Sequence, residues 1–358
     1  MVLCRKQNIF GENTLRDNLP ECQRYLIVGS GAIAITLAVR LILARQDVII
    51  ISSRLHGKQT IALESPSFQN TCNIESKECF SPELVNKNTI IILAQKIYQL
   101  QKTFRKLIER VPKHVPICCL QNGIWVENQL ANYGFVTIPV SAHWSCTLVR
   151  DNHAFCGVDN GLYLGWIRKK HIPISKKLTF EFSKNGVHSK FDQSGMNEKY
   201  RKLLIASTSA YLAIRGINIS SIENNTQVQE DLSVLLKESA NILRKSTKST
   251  KLSESMNNLI LQFSKGRINK NNNKVPKQLI TSLQQDLDKK LGITEVKWLN
   301  GELVKLSSKN QVNAPINSFL LKEVLKAEKQ KLTTLQLSKN SILQNKLHRV
   351  LDTYKKDA

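Results

Sequence analysis

A glycine-rich turn near the N-terminus has the residue types and spacing of a dinucleotide-binding site. The strand-like run 25–28 meets this turn, and a segment with helical periodicity then continues to about residue 44. Gly29 would allow the tight turn, Gly31 the close approach of a pyrophosphate, and Ala34 the packing of helix on strand. The N-terminus of the helix would face the anion. A strand-to-helix turn without a ligand is the alternative. The residues predicted to bind the cofactor here are Gly29, Ser30, Gly31, Ala32, Ile33 and Ala34.

The end of the next predicted strand indicates which dinucleotide would bind. The run 47–52 is mostly apolar, which is typical of a strand buried on both faces of a parallel sheet. A site for NAD usually carries Asp or Glu about 20 residues after the glycines, to bind the ribose hydroxyls. This chain has Ser52, Ser53 and Arg54 instead. Because a guanidinium is a planar and permanently charged partner for phosphate, we expect Arg54 to bind the 2′-phosphate of NADPH. A surface arginine in a polar loop is the alternative.

Two further polar side chains follow predicted strands. Lys96 comes after the apolar run 89–94, and Asn122 comes after the run 115–120. In open α/β sheets, functional groups collect beyond the carboxyl ends of the strands. We therefore expect Arg54, Lys96 and Asn122 to lie along one rim of a sheet.

The chain changes character near residue 196. Before it, short strand patterns include Asp159-Asn160-Gly161, which predicts a hairpin turn. After it, helical periodicity dominates, at 199–215, 228–245, 252–263, 277–290 and 315–331. The sequence predicts a Rossmann-type α/β domain followed by an all-α domain. The predicted divisions are a polar N-terminal extension 1–24, an NADP-binding domain 25–195, a helical substrate domain 196–332 and a basic, solvated or loosely docked tail 333–358.

Composition narrows the function classes. The 358 residues carry a formal net charge of +24, which attracts phosphate groups. The lysines are spread along the chain, so nucleic-acid binding stays open but is not favoured over a compositional bias of the source. No apolar run approaches the ~20 residues of a membrane helix, and acidic residues near the N-terminus argue against a transit peptide. We expect a cytoplasmic protein without a membrane partner. The eight cysteines show no paired C-x-x-C spacing, so free thiols and no metal site are expected.

Several segments occur in the order found in one enzyme family, and over roughly residues 24–330 the chain resembles a ketopantoate reductase (2-dehydropantoate 2-reductase). The Thr294–Gly301 run, which reads Thr-Glu-Val-Lys-Trp-Leu-Asn-Gly, is the most specific of them. The other matching segments are Gly29–Ala34 with Arg54, Lys96–Gln99, Gln121–Gly123, Asn160–Gly165, Tyr200–Leu203, Ser282–Asp286 and Asn313–Asn317.

The resemblance implies a reaction and roles for single residues. A hydride from NADPH would reduce the ketone of a small 2-oxo acid, and Lys202 matches the lysine that supplies the proton to the carbonyl oxygen. An ammonium suits this step, because it can stabilise the developing alkoxide and then donate a proton. Glu295 matches a glutamate close to that lysine, the cofactor and the substrate. The remaining matches are Asn122 at the junction of cofactor and substrate, Ser282 at the carboxylate end of the substrate, and Lys96 and Arg54 on the cofactor side.

The chain departs from the family at two positions. The family has asparagines four and eight residues after its lysine, on the same helix face, where they contact substrate. This chain has Ala206 and Ala210 there, and the nearby Ser207 and Ser209 point elsewhere on a helix. Each hydrogen bond to a charged ligand is worth roughly 1.5–3 kcal/mol. The departure therefore leaves the substrate in question.

Three hypotheses follow. The first is an NADPH-dependent ketopantoate reductase of pantothenate and coenzyme A synthesis. The second is a reductase of the same fold acting on another, less polar 2-oxo acid. The third is a catalytically degenerate, basic RNA-binding protein on this fold. The sequence leaves both a monomer and a homodimer open.

Overall fold

The computed structural model describes residues 23–247, 250–265 and 280–357, in which an α/β unit precedes a group of helices. The predicted fold class is therefore confirmed. The predicted N-terminal extension, residues 1–24, lies outside the described residues except for its last two. Each helix in the described ranges is too short or too polar to span a bilayer.

A nine-stranded sheet is the centre of the first half of the described chain. Its strands are β1 Arg24–Val28, β2 Asp47–Ile51, β3 Gly57–Ser65, β4 Phe68–Lys77, β5 Thr89–Leu93, β6 Ile117–Cys119, β7 Thr137–Arg150, β8 His153–Leu164 and β9 Ser189–Phe191. They lie in the order β3-β4-β2-β1-β5-β6-β7-β8-β9. Strands β2, β1, β5, β6 and β7 run parallel, so their carboxyl ends share one rim.

The apolar runs of the central strands explain this arrangement. Tyr25 and Ile27 pack into the core on one sheet face, whereas Leu26 and Val28 pack on the other. A strand that is apolar at every position needs cover on both faces. Helices provide it: α1 Ala32–Leu43 and α4 Ile172–Lys184 on one side, α2 Ile97–Arg110 and α3 Trp125–Asn132 on the other.

Two antiparallel hairpins complete the sheet, and one differs from the prediction. Strands β7 and β8 reverse at Asp151 and Asn152, and the predicted turn at Asp159-Asn160-Gly161 is wrong because these residues lie within β8. Gly161 has φ +85°, and a Cβ there would lie 2.7 Å from the His188 carbonyl oxygen. Gly161 therefore allows the segment at His188 to pass close to β8, and it does not form a hairpin turn. The hairpin of β3 and β4 has no counterpart in the predictions, and β3 pairs with β8.

The second half of the described chain consists of helices around one apolar core. They are α5 Asn197–Arg215, α6 Thr226–Thr247, α7 Thr250–Ser264, α8 Ser282–Asp288, α9 Asn300–Lys309, α10 Pro315–Gln330, α11 Thr334–Ser338 and α12 Ser341–Asp357. Pro315 begins α10, where a missing N–H costs no helical hydrogen bond. Helix α9 has no counterpart in the predictions, and part of the predicted helix 277–290 lies outside the described residues.

The C-terminal segment is packed into the helical core, so the expectation of a solvated or loosely docked tail is wrong. Leu343, Leu347 and Leu351 recur every four residues on α12 and are 5%, 0% and 0% exposed. Burying a leucine contributes about 1.5–3 kcal/mol. Gln344 adds a 2.8 Å hydrogen bond from its Nε2 to the Ile214 carbonyl oxygen on α5. Its leucine stripe, rather than its lysines, determines where the segment lies.

Candidate functional site

The glycine turn joins β1 to α1, and its glycines meet different needs. Gly29 has φ +119°, and a Cβ on it would lie 2.8 Å from the Gln95 backbone nitrogen. Gly31 is the N-cap of α1, and a Cβ on it would meet no described atom within 4 Å. Ala34 is fully buried against the sheet. The first turn of α1 has no side-chain cap among the described residues. Its N–H groups and the open space at Gly31 suit a bound phosphate.

Arg54 lies across this turn. Its Nε donates to Ser30 Oγ at 3.2 Å, and its Nη2 donates to the Ser30 carbonyl oxygen. Its Nη1 lies 2.9 Å from Asp151 Oδ1, and the Asp151 side chain is 81% exposed. The hydroxyl oxygens of Ser30 and Ser52 are 2.6 Å apart. An exposed carboxylate is a weak partner, so a phosphate could replace Asp151 at little cost.

Lys96, at the end of β5, meets two carboxylates from the helical half. Its Nζ lies 2.9 Å from Asp286 Oδ2 and 3.7 Å from Glu295 Oε2. Burial raises the pKa of Asp286, and the Lys96 charge opposes that rise. The sequence did not predict that Asp286 contacts Lys96, although the segment 282–286, which resembles the family, contains Asp286.

Glu295 is buried, 3% exposed, and also binds the first turn of α2. Its Oε1 accepts the Ile97 backbone N–H at 3.2 Å. A carboxylate at a helix N-terminus is stabilised by the helix dipole. Glu295 therefore joins the helical half to the sheet rim in a fixed position beside Lys96.

Lys202 lies on α5 and reaches the sheet. Its Nζ donates to the Ala142 carbonyl oxygen on β7 at 2.5 Å. Loss of hydration and the positive charge of Lys199 lower the pKa of Lys202 to about 7, against the opposing effect of Glu295. An ammonium with a pKa near neutrality can donate a proton and recover it under ordinary conditions.

Asn122 and Ser282 are less tightly held. Asn122 follows β6, is half-buried, and its side chain makes no hydrogen bond within the described ranges. Gly123 has φ +85°, and a Cβ there would lie 2.7 Å from the Trp298 carbonyl oxygen, so the chain passes close to the helical half. Ser282 is exposed and begins α8, one helical turn before Asp286 and on the same face. The predicted roles of both residues remain predictions.

The structure thus brings the predicted residues together to different degrees. Lys96 and Glu295 are in direct contact, and the charge of Glu295 acts on Lys202. The glycine turn and Arg54 form a second group of contacting residues, at the adjacent strand ends. In the described part of the chain, no three His, Cys, Asp or Glu side chains are arranged to hold a metal ion.

Ala206 and Ala210, which stand where the family has asparagines, pack in or against the helical core. Ala210 is fully buried in the helical core, and Ala206 is half-buried against it. Ser207 is also fully buried, and its Oγ donates to the Leu204 carbonyl oxygen at 2.7 Å. None of these three side chains presents a free polar group to a substrate.

Two residues of the family-like segments have structural partners. Asn300 Nδ2 donates to Asn317 Oδ1 at 2.9 Å, and Asn317 Nδ2 donates to Glu238 Oε1 at 2.8 Å. Glu238 also accepts the backbone N–H groups of Ile316 and Asn317 at the start of α10. All of these groups are buried, so this network fixes helix packing.

Comparisons with known proteins show which family this chain is similar to. Residues 25–165 match the family model described as ketopantoate reductase PanE/ApbA, and residues 195–328 match the model of its C-terminal part. The 2-dehydropantoate 2-reductase of Lactococcus lactis subsp. lactis (strain IL1403) is 23% identical over 283 residues. That match covers 76% of this chain and 85% of the relative.

Solved structures share the fold. A complex of D-mandelate dehydrogenase with NADH and anilino(oxo)acetate has a TM-score of 0.73 at 18% identity, covering 86% of this chain and 99% of that one. A PanE/ApbA family ketopantoate reductase from Ralstonia eutropha JMP134 has a TM-score of 0.70 at 17% identity, with the same coverage. A dimeric ketopantoate reductase from Staphylococcus aureus has a TM-score of 0.67 at 15% identity, also with 86% and 99% covered.

Proposed function

The chain belongs to the ketopantoate reductase family of NAD(P)-dependent oxidoreductases, and we propose that it reduces 2-dehydropantoate (ketopantoate) to pantoate with NADPH. The observation that carries the proposal is the position of Lys202. Its ammonium has a pKa lowered to about 7, is held by the Ala142 carbonyl oxygen, and lies within the field of Glu295. The proposed product would enter pantothenate and coenzyme A synthesis.

The residues present fit an NADPH molecule. The glycine turn offers uncapped N–H groups and open space at Gly31 for the pyrophosphate. Arg54, which already bridges Ser30 and an exposed carboxylate, would bind the 2′-phosphate. Lys96 and Asn122 would lie towards the nicotinamide end. When bound, NADPH supplies the hydride for the ketone carbon.

The proposed proton transfer uses groups of this chain. In its protonated form, Lys202 would hold a proton on Nζ and give it to the carbonyl oxygen as the alcohol forms. The Ala142 carbonyl oxygen accepts another Nζ hydrogen and so aims the ammonium. Glu295, held by Lys96 and the Ile97 N–H, keeps a negative charge near the donor. Ser282 is proposed to bind the substrate carboxylate.

A second candidate is a reductase of another 2-oxo acid with a less polar side chain. It is supported by Ala206 and Ala210, which offer no polar group to the hydroxyl of ketopantoate. The similarity in fold to D-mandelate dehydrogenase, solved with anilino(oxo)acetate, supports testing aromatic 2-oxo acids as well. The RNA-binding alternative is supported by the net charge of +24 and by the alanines at positions 206 and 210, where the family has asparagines.

Consumption of NADPH separates these candidates. The purified chain would be assayed with ketopantoate and a panel of aliphatic and aromatic 2-oxo acids, each with NADPH and with NADH. We expect the highest kcat/KM for ketopantoate with NADPH. A much higher kcat/KM for an aromatic 2-oxo acid would select the second candidate. Absence of turnover with every acid, together with tight and salt-sensitive RNA binding, would reject both enzyme proposals.

The remaining assignments are proposals that accompany this function. Residues 25–195 would bind the cofactor and residues 196–332 the substrate. A small 2-oxo acid is the proposed partner and the cytoplasm the proposed location. Light scattering would decide between monomer and homodimer, and the dimeric relative from Staphylococcus aureus gives a reason to measure it.

A further inference from the structure

Lys199 lies in the first turn of α5, three residues before Lys202, and carries a buried charge. Its Nζ lies 2.5 Å from Glu127 Oε1 on α3, and the two side chains are 2% and 0% exposed. The same Nζ donates to the Gln121 carbonyl oxygen at 2.6 Å. Buried ion pairs are costly to desolvate, and apolar residues often replace them without loss of stability. Stability alone is therefore a weak explanation for this pair.

The Gln121 carbonyl connects Lys199 to the cofactor side of the site. Gln121 immediately precedes Asn122, and its Nε2 donates to the Gln95 carbonyl oxygen at 3.2 Å. Gln95 borders the glycine turn, where its backbone nitrogen faces Gly29. One ammonium thus ties the helix that carries Lys202 to the loops after β5 and β6.

The charge of Lys199 also affects the pKa of Lys202. The titratable groups that face the Lys202 ammonium are Lys199 on α5, Glu295 from the segment between α8 and α9, and Cys146 on β7. The hydrogen bond with Cys156 and burial raise the pKa of the Cys146 thiol, so it stays neutral. After desolvation, the positive charge of Lys199 is the largest cause of the lowered pKa of Lys202, whereas Glu295 raises it.

We propose that Lys199 is a positioning residue of the reduction. Its bonds to Glu127 and to the Gln121 carbonyl hold the Asn122 loop against α5 and keep a fixed positive charge one turn from Lys202. Glu127 serves to keep that charge in place inside the protein. This inference rests on the proposed role of Lys202 as proton donor.

The charge effect can be measured without turnover. Acetic anhydride acetylates only the neutral amine, so the rate of acetylation of Lys202 reports the titration midpoint of this lysine. Mass spectrometry would measure that rate from pH 5 to pH 10, a range that extends roughly two pH units or more to either side of the lowered pKa. Lys199→Gln removes the charge and leaves an amide donor that ends one atom earlier than the ammonium, so we expect the midpoint to rise by about one pH unit or more. Lys199→Arg keeps the charge and should keep the midpoint. The exposed Lys177 on α4 is an internal reference.

These outcomes decide the charge part of the proposal. A folded Lys199→Gln protein with the wild-type Lys202 midpoint would overturn it, and so would an equal rise in Lys199→Arg. Because labelling needs no substrate, the measurement still applies if no 2-oxo acid is turned over. Failure of the proposed function and failure of this inference are thus distinguishable.

The tether needs a different variant. Lys199→Met combined with Glu127→Leu removes both charges and both bonds while filling the space with apolar atoms. We expect its KM for NADPH to rise roughly tenfold or more, because the Asn122 loop loses a charged hydrogen bond, while Lys199→Arg, which keeps the charge and its donors, should restore a KM near wild type. A folded double variant with wild-type KM would show that the loop needs no tether. If the double variant does not fold, Lys199→Gln decides the question, because its shorter side chain weakens the bond to the Gln121 carbonyl oxygen. A raised KM for NADPH would support the tether, and a wild-type KM would overturn it.

Discussion

The glycine turn and the cluster around Glu295 lie at neighbouring strand ends but are built in different ways. In the turn, the contacting residues Ser30, Ser52 and Arg54 come from one strand–turn–helix–strand unit. In the cluster, Lys96 meets Asp286 and Glu295, which lie about two hundred residues further along the chain. Local spacing therefore determines most of the first region, to which Asp151 and Gln95 add contacts from elsewhere in the chain. The second exists only because the helical half packs on the sheet rim.

The difference predicts distinct consequences of mutation. Changes in the turn should alter cofactor binding and leave the proposed proton donor, Lys202, intact. Changes around Lys202 should alter the chemical step and leave cofactor binding nearly intact. The four predictions below test this division, beginning with the largest expected effect.

Lys202→Ala should lower kcat/KM by roughly 10²- to 10⁴-fold, the usual contribution of a general acid. Cofactor affinity, measured by fluorescence titration with NADPH, should change little. Lys177→Ala, at an exposed lysine on α4, is the matched control and should retain full activity. Full activity in Lys202→Ala would exclude Lys202 as the proton donor.

Arg54→Gln should remove most of the preference for NADPH over NADH. A charged hydrogen bond to phosphate is worth roughly 1.5–3 kcal/mol, which corresponds to a loss of about ten- to a hundredfold in affinity for NADPH. Affinity for NADH should stay near the wild-type value, since NADH lacks the 2′-phosphate. Equal losses for both cofactors would indicate that Arg54 supports the turn through Ser30 instead.

Gly29→Ala and Gly31→Ala should fail in different assays. Gly29 has φ +119° and meets the Gln95 backbone nitrogen, so alanine there should cost roughly 1–3 kcal/mol of the free energy of unfolding. Gly31 faces open space, so alanine should leave the melting temperature unchanged but weaken NADPH binding. If both variants melted like wild type and bound NADPH equally well, the predicted use of this turn would be wrong.

The pH dependence of the reaction should follow Lys202. In the proposed mechanism the reductive direction needs the protonated ammonium of Lys202, whose pKa is lowered to about 7. As pH rises through that value the proton is lost, so kcat/KM should fall about tenfold per pH unit above it. In Lys202→Ala the residual rate should lack this descending limb. A wild-type kcat/KM that stays constant up to pH 9, roughly two pH units above the lowered pKa, would show that another group donates the proton.

The sequence predicted the elements correctly where the structure depends on residues that are close together in the chain. Continuous apolar runs identified β2 and β5 because strands buried on both faces need apolar residues at every position. The Asn160–Gly161 pair shows the limit of such reasoning. A glycine with positive φ was expected in a turn, but it lies inside β8 because another chain segment passes within contact distance.

The C-terminal segment shows the same limit on a larger scale. Its lysines suggested a solvated helix, but the leucines decide its position once α5, α6 and α10 provide a groove. The buried pair of Lys199 and Glu127 was equally hidden, since nothing in the sequence around either residue indicates its partner.

The sequence by itself determined the α/β order, the glycine turn and, through resemblance, the candidate set of Lys202, Glu295, Ser282 and Asn122. These features depend on neighbours in the chain or on ordered segments. Only the tertiary structure decided that Glu295 caps α2 beside Lys96, that Ala210 faces the core, and that Lys199 is buried against Glu127. The reason is physical: burial and electrostatic coupling depend on distances between residues that are remote along the chain.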